Sequence, residues 1–116
     1  MPAPIVFFDI AGPDTAQLKP FYQQLFDWDI GDDGRFSAPV IAASLDATIR
    51  QDPTDKVIYM GVPDVSATLE QAAALGGTVI AHRFEVPGVV ILGLLADPAG
   101  NTVGLVEMVG SELKIP

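Results

Sequence analysis

The sequence has no cysteine, a single histidine (His82), and only 6 Lys and Arg residues against 15 Asp and Glu, which gives a net charge of −9. Without cysteine the chain has no disulfide bond, no thiolate nucleophile and no Cys-ligated metal centre. One histidine excludes any site that needs two imidazoles from this sequence. The acidic balance argues against a nucleic-acid partner, because phosphate groups are bound by clustered Lys and Arg side chains.

Long hydrophobic runs are also missing. The longest, Val89–Ala96, includes Gly93 and is far shorter than the roughly 20 apolar residues that cross a bilayer. We therefore expect a cytoplasmic protein without a membrane partner. An apolar run of this kind is typical of a strand buried on both faces. One of those faces would then meet an apolar ligand or a second subunit.

The 116 residues, 49% of them hydrophobic, suit a single domain over residues 1–116. A repeated pattern divides it into modules at about 4–52 and 55–110. Each module starts with a strand-like segment and a Pro-Asp pair, Pro13-Asp14 or Pro63-Asp64, whose Asp is a typical helix cap. An apolar helical stripe follows each cap. The strand candidates after the two helices are Trp28–Ile30, Arg35–Ser37 and Ile41–Arg50, then Thr78–Ala81, Val89–Ala96 and Thr102–Met108.

Two segments resemble a known family. Asp14–Trp28 is similar to a helix motif with the pattern D-x₆-FY, and Gly76-Gly77 followed by Asp97–Leu105 is similar to a GG…DP-x-GN-x-x-x-L signature. On these residues the sequence resembles the vicinal oxygen chelate superfamily, which includes glyoxalase I, extradiol dioxygenases and bleomycin-resistance proteins. It is most similar to a glyoxalase-like subgroup of unassigned biochemistry. The resemblance implies an α+β fold of two βαβββ modules, whose curved mixed sheet surrounds a cavity with the helices on its outer face. Family members of this length are commonly dimers, so we also expect a homodimer.

The resemblance also allows a test for metal binding. In the metal-dependent members, four His, Glu or Gln ligands on the strands face the cavity. Three of these positions correspond to Phe7, Val57 and Gly104, none of which carries a donor atom. The fourth lies on the last strand of the first module, where the side chains with the right alternation are Asp46, Thr48 and Arg50. We therefore expect no metal and no cofactor, and the metal-dependent activities of the superfamily are not expected here.

Strand alternation selects candidates for the lining of the implied cavity. Phe7 and Asp9 share one face of the first strand, and Val57 and Tyr59 share the corresponding face of the first strand of the second module. A carboxylate beside a phenol in an apolar surrounding fixes a ligand, or acts as a general base and acid. The alternative is structural, with Asp9 at a strand end and the Tyr59 hydroxyl in water.

Other polar residues have both a functional and an ordinary interpretation. Arg50, with Asp46 and Thr48, either holds an anionic ligand or forms a surface ion pair. His82 is most simply a surface residue of a loop. A cluster of four aspartates fails the EF-hand calcium pattern, because Ala38 stands where a Glu is required, and an Asp- and Gly-rich turn explains it: Asp27, Asp29, Asp32 and Asp33.

Three functions follow from these observations. The first is a bleomycin-resistance-like protein that binds a small molecule in an apolar cup without a transition metal, with a preference for cationic ligands from its acidic surface. The second is a lyase- or isomerase-type enzyme that works without a metal or with a hard divalent cation. The third is a dimeric interaction module, so the sequence leaves open whether the protein is an enzyme. The predicted ligand-binding residues are Phe7, Asp9, Thr48, Arg50, Val57, Tyr59 and Gly104, with Asp9 and Tyr59 as the candidate catalytic pair.

Overall fold

The computed structural model describes residues 2–40 and 43–116. It is an α+β protein in which the strand–helix–strand order occurs twice along the chain, as the sequence predicts. Trp28–Ile30 is not a strand, and the first two residues of the predicted strand Ile41–Arg50 lie outside the described residues. The elements are β1 (Ile5–Gly12), α1 (Thr15–Phe26), β2 (Arg35–Val40), β3 (Ala43–Gln51), β4 (Asp55–Val62), α2 (Val65–Ala74), β5 (Thr78–Val86), β6 (Val90–Ala96), β7 (Thr102–Val109) and β8 (Glu112–Leu113).

Both helices begin at the predicted caps. The Asp14 side chain accepts a hydrogen bond from the backbone N–H of Gln17 (3.3 Å), and the Asp64 side chain accepts one from Ala67 (2.9 Å). These bonds satisfy backbone donors that have no partner within the first turn of a helix. Beyond α2, Gly76 has a φ of +97°, a conformation that glycine adopts without steric cost. The cap motifs therefore set both helix starts.

The chain divides into two compact units. The N-terminal unit is Phe7–Val57, and the C-terminal unit combines the start of the chain through Val6 with Ile58–Pro116. In the N-terminal unit the strand order is β2-β3-β1, with β2 antiparallel and β1 parallel to β3. Its core lies between these strands and α1, and consists of Ile10, Ile30, Phe36, Ala38, Ala47 and Ile49, with Phe8, Leu18, Tyr22 and Trp28 packed against it.

Only part of the apolar stripe of α1 contributes to this core. Leu18 and Tyr22 pack against it, whereas Phe21, Leu25 and Phe26 are more than half exposed. No residue of α1 is fully buried. Trp28, which follows the helix, stacks on Tyr22 with 5.6 Å between the ring centroids. Trp28 thus packs with Tyr22 against the core of this unit.

In the C-terminal unit the strand order is β4-β7-β6-β5, and β8 pairs with β7. β4 runs parallel to β7, and β6 is antiparallel to both β5 and β7. Helix α2 covers one face of this sheet, and the core between them consists of Val62, Val65, Leu69, Leu95 and Leu105. The other face carries no helix of this unit, and we call it the helix-free face.

Neither helix in the described part of the chain combines the length and the apolar character needed to span a membrane.

Candidate functional site

Tyr59 lies directly over Gly104 on the helix-free face of the C-terminal unit. The two residues are register partners in the parallel pair of β4 and β7. A Cβ atom at position 104 would lie 2.8 Å from Cγ of Tyr59 and closer still to its Cδ2 and Cε2 atoms. Only glycine leaves room for this ring, which is 9% exposed. The phenol ring therefore covers the backbone at a position where the superfamily resemblance implies a metal ligand.

The remainder of this face is apolar. On β6, Leu92 and Leu94 are register partners of Val106 and Gly104, and Phe84 of β5 is the partner of Leu92. Leu92 and Leu94 are half-buried, and Phe84 is 41% exposed. The expectation that Val89–Ala96 is buried on both sides is wrong, because burial alternates along β6: Ile91, Gly93 and Leu95 are buried, and the residues between them are half-buried.

Two of the predicted polar residues form an ion pair in the N-terminal unit. Nε of Arg50 lies 3.1 Å from Oδ2 of Asp9, and Nη1 of Arg50 contacts Oδ2 of Asp52. Asp9 is 3% exposed, whereas the Arg50 side chain is 35% exposed. Thr48 is the register partner of Asp9 in the pairing of β1 with β3. Because two carboxylates face one guanidinium, this cluster carries one surplus negative charge.

The other predicted residues are divided between the two units. In the N-terminal unit, Phe7 is half-buried and Val57 is 2% exposed. Asp46 is exposed on β3, and His82 of the C-terminal unit is exposed on β5 rather than in a loop. Across residues 2–40 and 43–116, no three or more His, Cys, Asp or Glu side chains converge on a common point that could hold a metal ion. The four aspartates Asp27, Asp29, Asp32 and Asp33 therefore form no such group.

A buried ion pair that the sequence analysis did not select lies in the C-terminal unit. Glu107 of β7 is 4% exposed, and Arg83 of β5 donates to both of its carboxylate oxygens, with Nη2 2.8 Å from Oε2. The backbone N–H of Val65, in the first turn of α2, donates to Oε1 at 3.1 Å. Lys114 Nζ lies 3.7 Å from Oε2. The signal in the sequence is a single acid within an apolar strand, because a buried carboxylate requires partners.

The partners of Glu107 keep its carboxyl group ionised. The hydrogen bonds from Arg83 are the largest cause, and together with the Val65 N–H and the nearby positive charges they outweigh burial and lower the pKa of Glu107 to about 2. This site joins β5, β7 and the start of α2. It also holds the C-terminal segment, since the Lys114 N–H donates to the Glu107 carbonyl at 3.0 Å. The arrangement is that of a structural clamp around the buried Glu107 carboxylate.

The residues at the implied metal positions do not fit a metal ion. The side chains of Phe7 and Val57 are hydrocarbon, and at Gly104 the ring of Tyr59 lies over the backbone. Transition metals in proteins are held by imidazole, thiolate or carboxylate groups, and these three positions supply none. These three positions therefore support no reaction step on a metal ion.

Comparisons with known proteins agree with the resemblance. The family described as "Glyoxalase-like domain" matches residues 5–106. An anthracycline biosynthesis protein of Streptomyces peucetius, DnrV, is 25% identical over 85% of this chain and 45% of its own length. "Putative glyoxylase CFP32" of Mycobacterium tuberculosis is 26% identical over 84% of this chain and 42% of its own length. The chain thus spans less than half the length of these curated relatives.

Solved structures share the fold at low sequence identity. A methylmalonyl-CoA epimerase in complex with methylmalonyl-CoA and NH4+ has a TM-score of 0.63 at 15% identity, over 97% of this chain and 99% of the other. A Streptomyces coelicolor methylmalonyl-CoA epimerase in complex with 2-nitronate-propionyl-CoA has a TM-score of 0.62 at 15% identity, over 96% and 98% of the two chains. At this identity the likeness establishes the fold alone.

Proposed function

Since the chain belongs to the glyoxalase-like domain family, we propose that it binds a small, largely apolar organic molecule and needs no transition metal to do so. The name of one relative, an anthracycline biosynthesis protein, is compatible with such a ligand. The epimerases of the same fold were solved with acyl-CoA compounds, which are anionic, and they do not support it. The names of the curated relatives, an anthracycline biosynthesis protein and a putative glyoxylase, do not identify a ligand for this chain.

The main support for the proposal is the helix-free face of the C-terminal unit. Leu92, Leu94 and Phe84 are partly exposed there, the buried Tyr59 and Val106 lie on the same face, and the phenol is the polar group among them. Sites for small organic molecules are typically lined by apolar side chains with a few polar groups that orient the ligand. On this proposal a planar apolar ligand contacts the leucines, and Tyr59 orients it.

Charge favours a neutral or cationic ligand over an anionic one. The chain carries a net charge of −9, which raises the local concentration of cations and repels anions. Arg50 does not reverse this preference, because its guanidinium is ion-paired with both Asp9 and Asp52. We propose that Arg50, Asp9 and Thr48 do not form a dedicated anion site.

An enzymatic role for Asp9 has less support. A general base must reach the proton that it removes, and the Asp9 carboxylate is 3% exposed with Oδ2 3.1 Å from Arg50 Nε. Its engagement in an ion pair favours a structural or ligand-positioning role. Binding is therefore the function that we propose, and catalysis by Asp9 and Tyr59 is the alternative.

The test is a thermal-shift titration on protein dialysed against EDTA. Indole, tryptamine and indole-3-acetate provide one ring system in neutral, cationic and anionic form. We expect the neutral and cationic compounds to raise the melting temperature in a concentration-dependent way, by roughly 10 °C when the ligand is in about hundredfold excess over its Kd. The anionic compound should have little effect. Leu94→Gln should reduce the shift, because it places an amide on the helix-free face.

The matched control is Leu75→Gln, since Leu75 is 73% exposed at the end of α2. It should leave the shift unchanged relative to the starting protein. Equal shifts in the two variants would place the ligand elsewhere and contradict the proposal. A shift that appears only after zinc, nickel or iron is added back would contradict the metal-free binding.

We also propose that the protein is a homodimer. The chain matches 42–45% of the length of its curated relatives, so a second copy would bring the assembly close to their size. Sedimentation equilibrium should therefore give a mass of twice 12.2 kDa. A mass of one chain throughout the micromolar range would show that the protein is a monomer.

A further inference from the structure

One face of α1 is apolar and exposed. Phe21, Leu25 and Phe26 are 57%, 59% and 53% exposed, and Tyr22 and Trp28 are half-buried. Ring contacts connect the aromatic members, with centroid distances of 5.2 Å for Phe21 and Tyr22, 6.1 Å for Tyr22 and Phe26, and 5.5 Å for Phe26 and Trp28. We call these five residues the aromatic face. All of them belong to the N-terminal unit.

The segment that follows α1 places carboxylates next to the aromatic face. It is held against the helix by two hydrogen bonds, from Gln23 Nε2 to the Ile30 carbonyl (3.0 Å) and from Lys19 Nζ to the Asp32 carbonyl (2.9 Å). From Asp14 to Gly34 the chain carries five aspartates and a single basic residue, Lys19. The exposed carboxylates of the segment are Asp27, Asp29, Asp32 and Asp33.

From this combination we propose that the aromatic face is a docking surface for a basic, amphipathic segment of another protein. Phe21, Leu25 and Phe26 together expose on the order of 300 Å² of apolar surface, which is the lower end of the size of the largest apolar patch on a soluble monomer, a patch that is often functional. Apolar side chains of the segment contact the rings, and its flanking Lys and Arg residues meet the carboxylates. This surface is separate from the residues proposed for small-molecule binding.

Charge complementarity selects this occupant over a second copy of the chain. Two copies that meet through the aromatic face would bring their aspartates together, and like charges at an interface disfavour association. A basic segment reverses the sign of that interaction. Its binding then weakens as salt is added, because the carboxylates are exposed and therefore screened.

The experiment uses two synthetic peptides, one of Lys and Leu in an amphipathic helical pattern and one with every Lys replaced by Glu. Neither contains tryptophan, so Trp28, the one tryptophan of the sequence, reports on the aromatic face by its fluorescence. We expect a saturable change with the Lys peptide that weakens with added salt, and no change with the Glu peptide. Equal binding of both peptides, or binding of neither, would overturn the proposal.

Variants then locate the site by calorimetric titration with the Lys peptide. Phe21→Ser combined with Phe26→Ser, and separately Asp27→Asn combined with Asp29→Asn, should each weaken binding by about tenfold or more. The control pair on α2, Leu75→Ser with Glu70→Gln, changes an exposed leucine and an exposed glutamate and should bind as the starting protein does. Since all these positions are exposed, the variants should fold, which far-UV circular dichroism checks.

Two results of this series would overturn the proposal. One is unchanged affinity in both sets of α1 variants. The other is self-association of the protein that Phe21→Ser abolishes, which would assign the aromatic face to a second copy of the chain. The homodimer proposed above should persist in Phe21→Ser, so failure of the docking proposal and failure of the dimer proposal are distinguishable.

Discussion

Replacing Gly104 by alanine should destabilise the protein by about 1–3 kcal/mol, the usual cost of forcing an extra carbon into a packed site. Alanine is otherwise favoured over glycine in a strand by roughly 0.5–1 kcal/mol. The sign of the effect therefore depends on the ring of Tyr59, whose Cγ would lie 2.8 Å from the new methyl carbon. Urea denaturation, followed by circular dichroism, measures the change in the free energy of unfolding.

A double-mutant cycle separates this clash from a general effect on β7. In a Tyr59→Ala background the ring is absent, so adding Gly104→Ala should cost little, and the coupling energy between the two positions should be about 1–3 kcal/mol. Tyr22, the other tyrosine of the sequence, provides the matched background. Gly104→Ala should be as destabilising in Tyr22→Ala as in the starting protein.

The result of this cycle bears on the metal question as well as on packing. If the ring of Tyr59 and the backbone of Gly104 are in contact, a larger side chain at position 104 and the tyrosine are incompatible. Two results would show that the ring does not lie over this position. One is that Gly104→Ala leaves the free energy of unfolding unchanged. The other is that Gly104→Ala is no longer destabilising in the Tyr22→Ala background. Strong coupling would instead mean that a ligating side chain at position 104 requires loss of Tyr59.

Much of the fold could be predicted from the sequence because its signals are local. Asp14 and Asp64 each cap a helix through a backbone N–H three residues ahead, so the spacing alone identifies both helix starts. The turn at Asp97 is local in the same way, since the Asp97 side chain accepts hydrogen bonds from the backbone N–H groups of Ala99 and Asn101. These contacts involve neighbouring residues, and a local pattern is sufficient to reveal them.

What the sequence could not show depends on contacts between distant residues. The stripe on α1 has the correct helical period, but periodicity does not reveal that Leu18 and Tyr22 pack against the core while Phe21 and Phe26 stay exposed. In the candidate site, alternation puts Thr48 and Arg50 on one face of a strand, but it does not reveal that Thr48 is the register partner of Asp9. It does not reveal the ion pair of Arg83 with Glu107, 24 residues apart, since burial and partner choice are set by the folded chain.

Disrupting the ion pair of Arg83 with Glu107 should also have a large effect on the free energy of unfolding. Glu107→Gln removes the negative charge that Arg83 and Lys114 face and weakens the acceptor of the Val65 N–H. For Glu107, a pKa of about 2 in place of the ordinary 4.5 corresponds to about 3 kcal/mol of stability near neutral pH. We therefore expect Glu107→Gln to lower the free energy of unfolding by about 3 kcal/mol at pH 7. Glu85, whose side chain is 52% exposed and lies 3.5 Å from Arg83, is the matched control, and Glu85→Gln should cost less than about 0.5 kcal/mol.

The pH dependence of the difference between the two proteins identifies its origin. Because the pKa of Glu107 is lower in the folded state, the unfolded state binds the proton first as the pH falls. The stabilisation is therefore fully present above the ordinary pKa of 4.5 and is lost as the pH approaches 2. Other carboxylates titrate in the same range, but they are common to both proteins and cancel in the difference. The difference in the free energy of unfolding between the starting protein and Glu107→Gln should thus be largest at pH 7 and should disappear as the pH falls from 4.5 to 2. A difference that stays constant with pH would mean that packing around the side chain, and not its charge, stabilises the clamp.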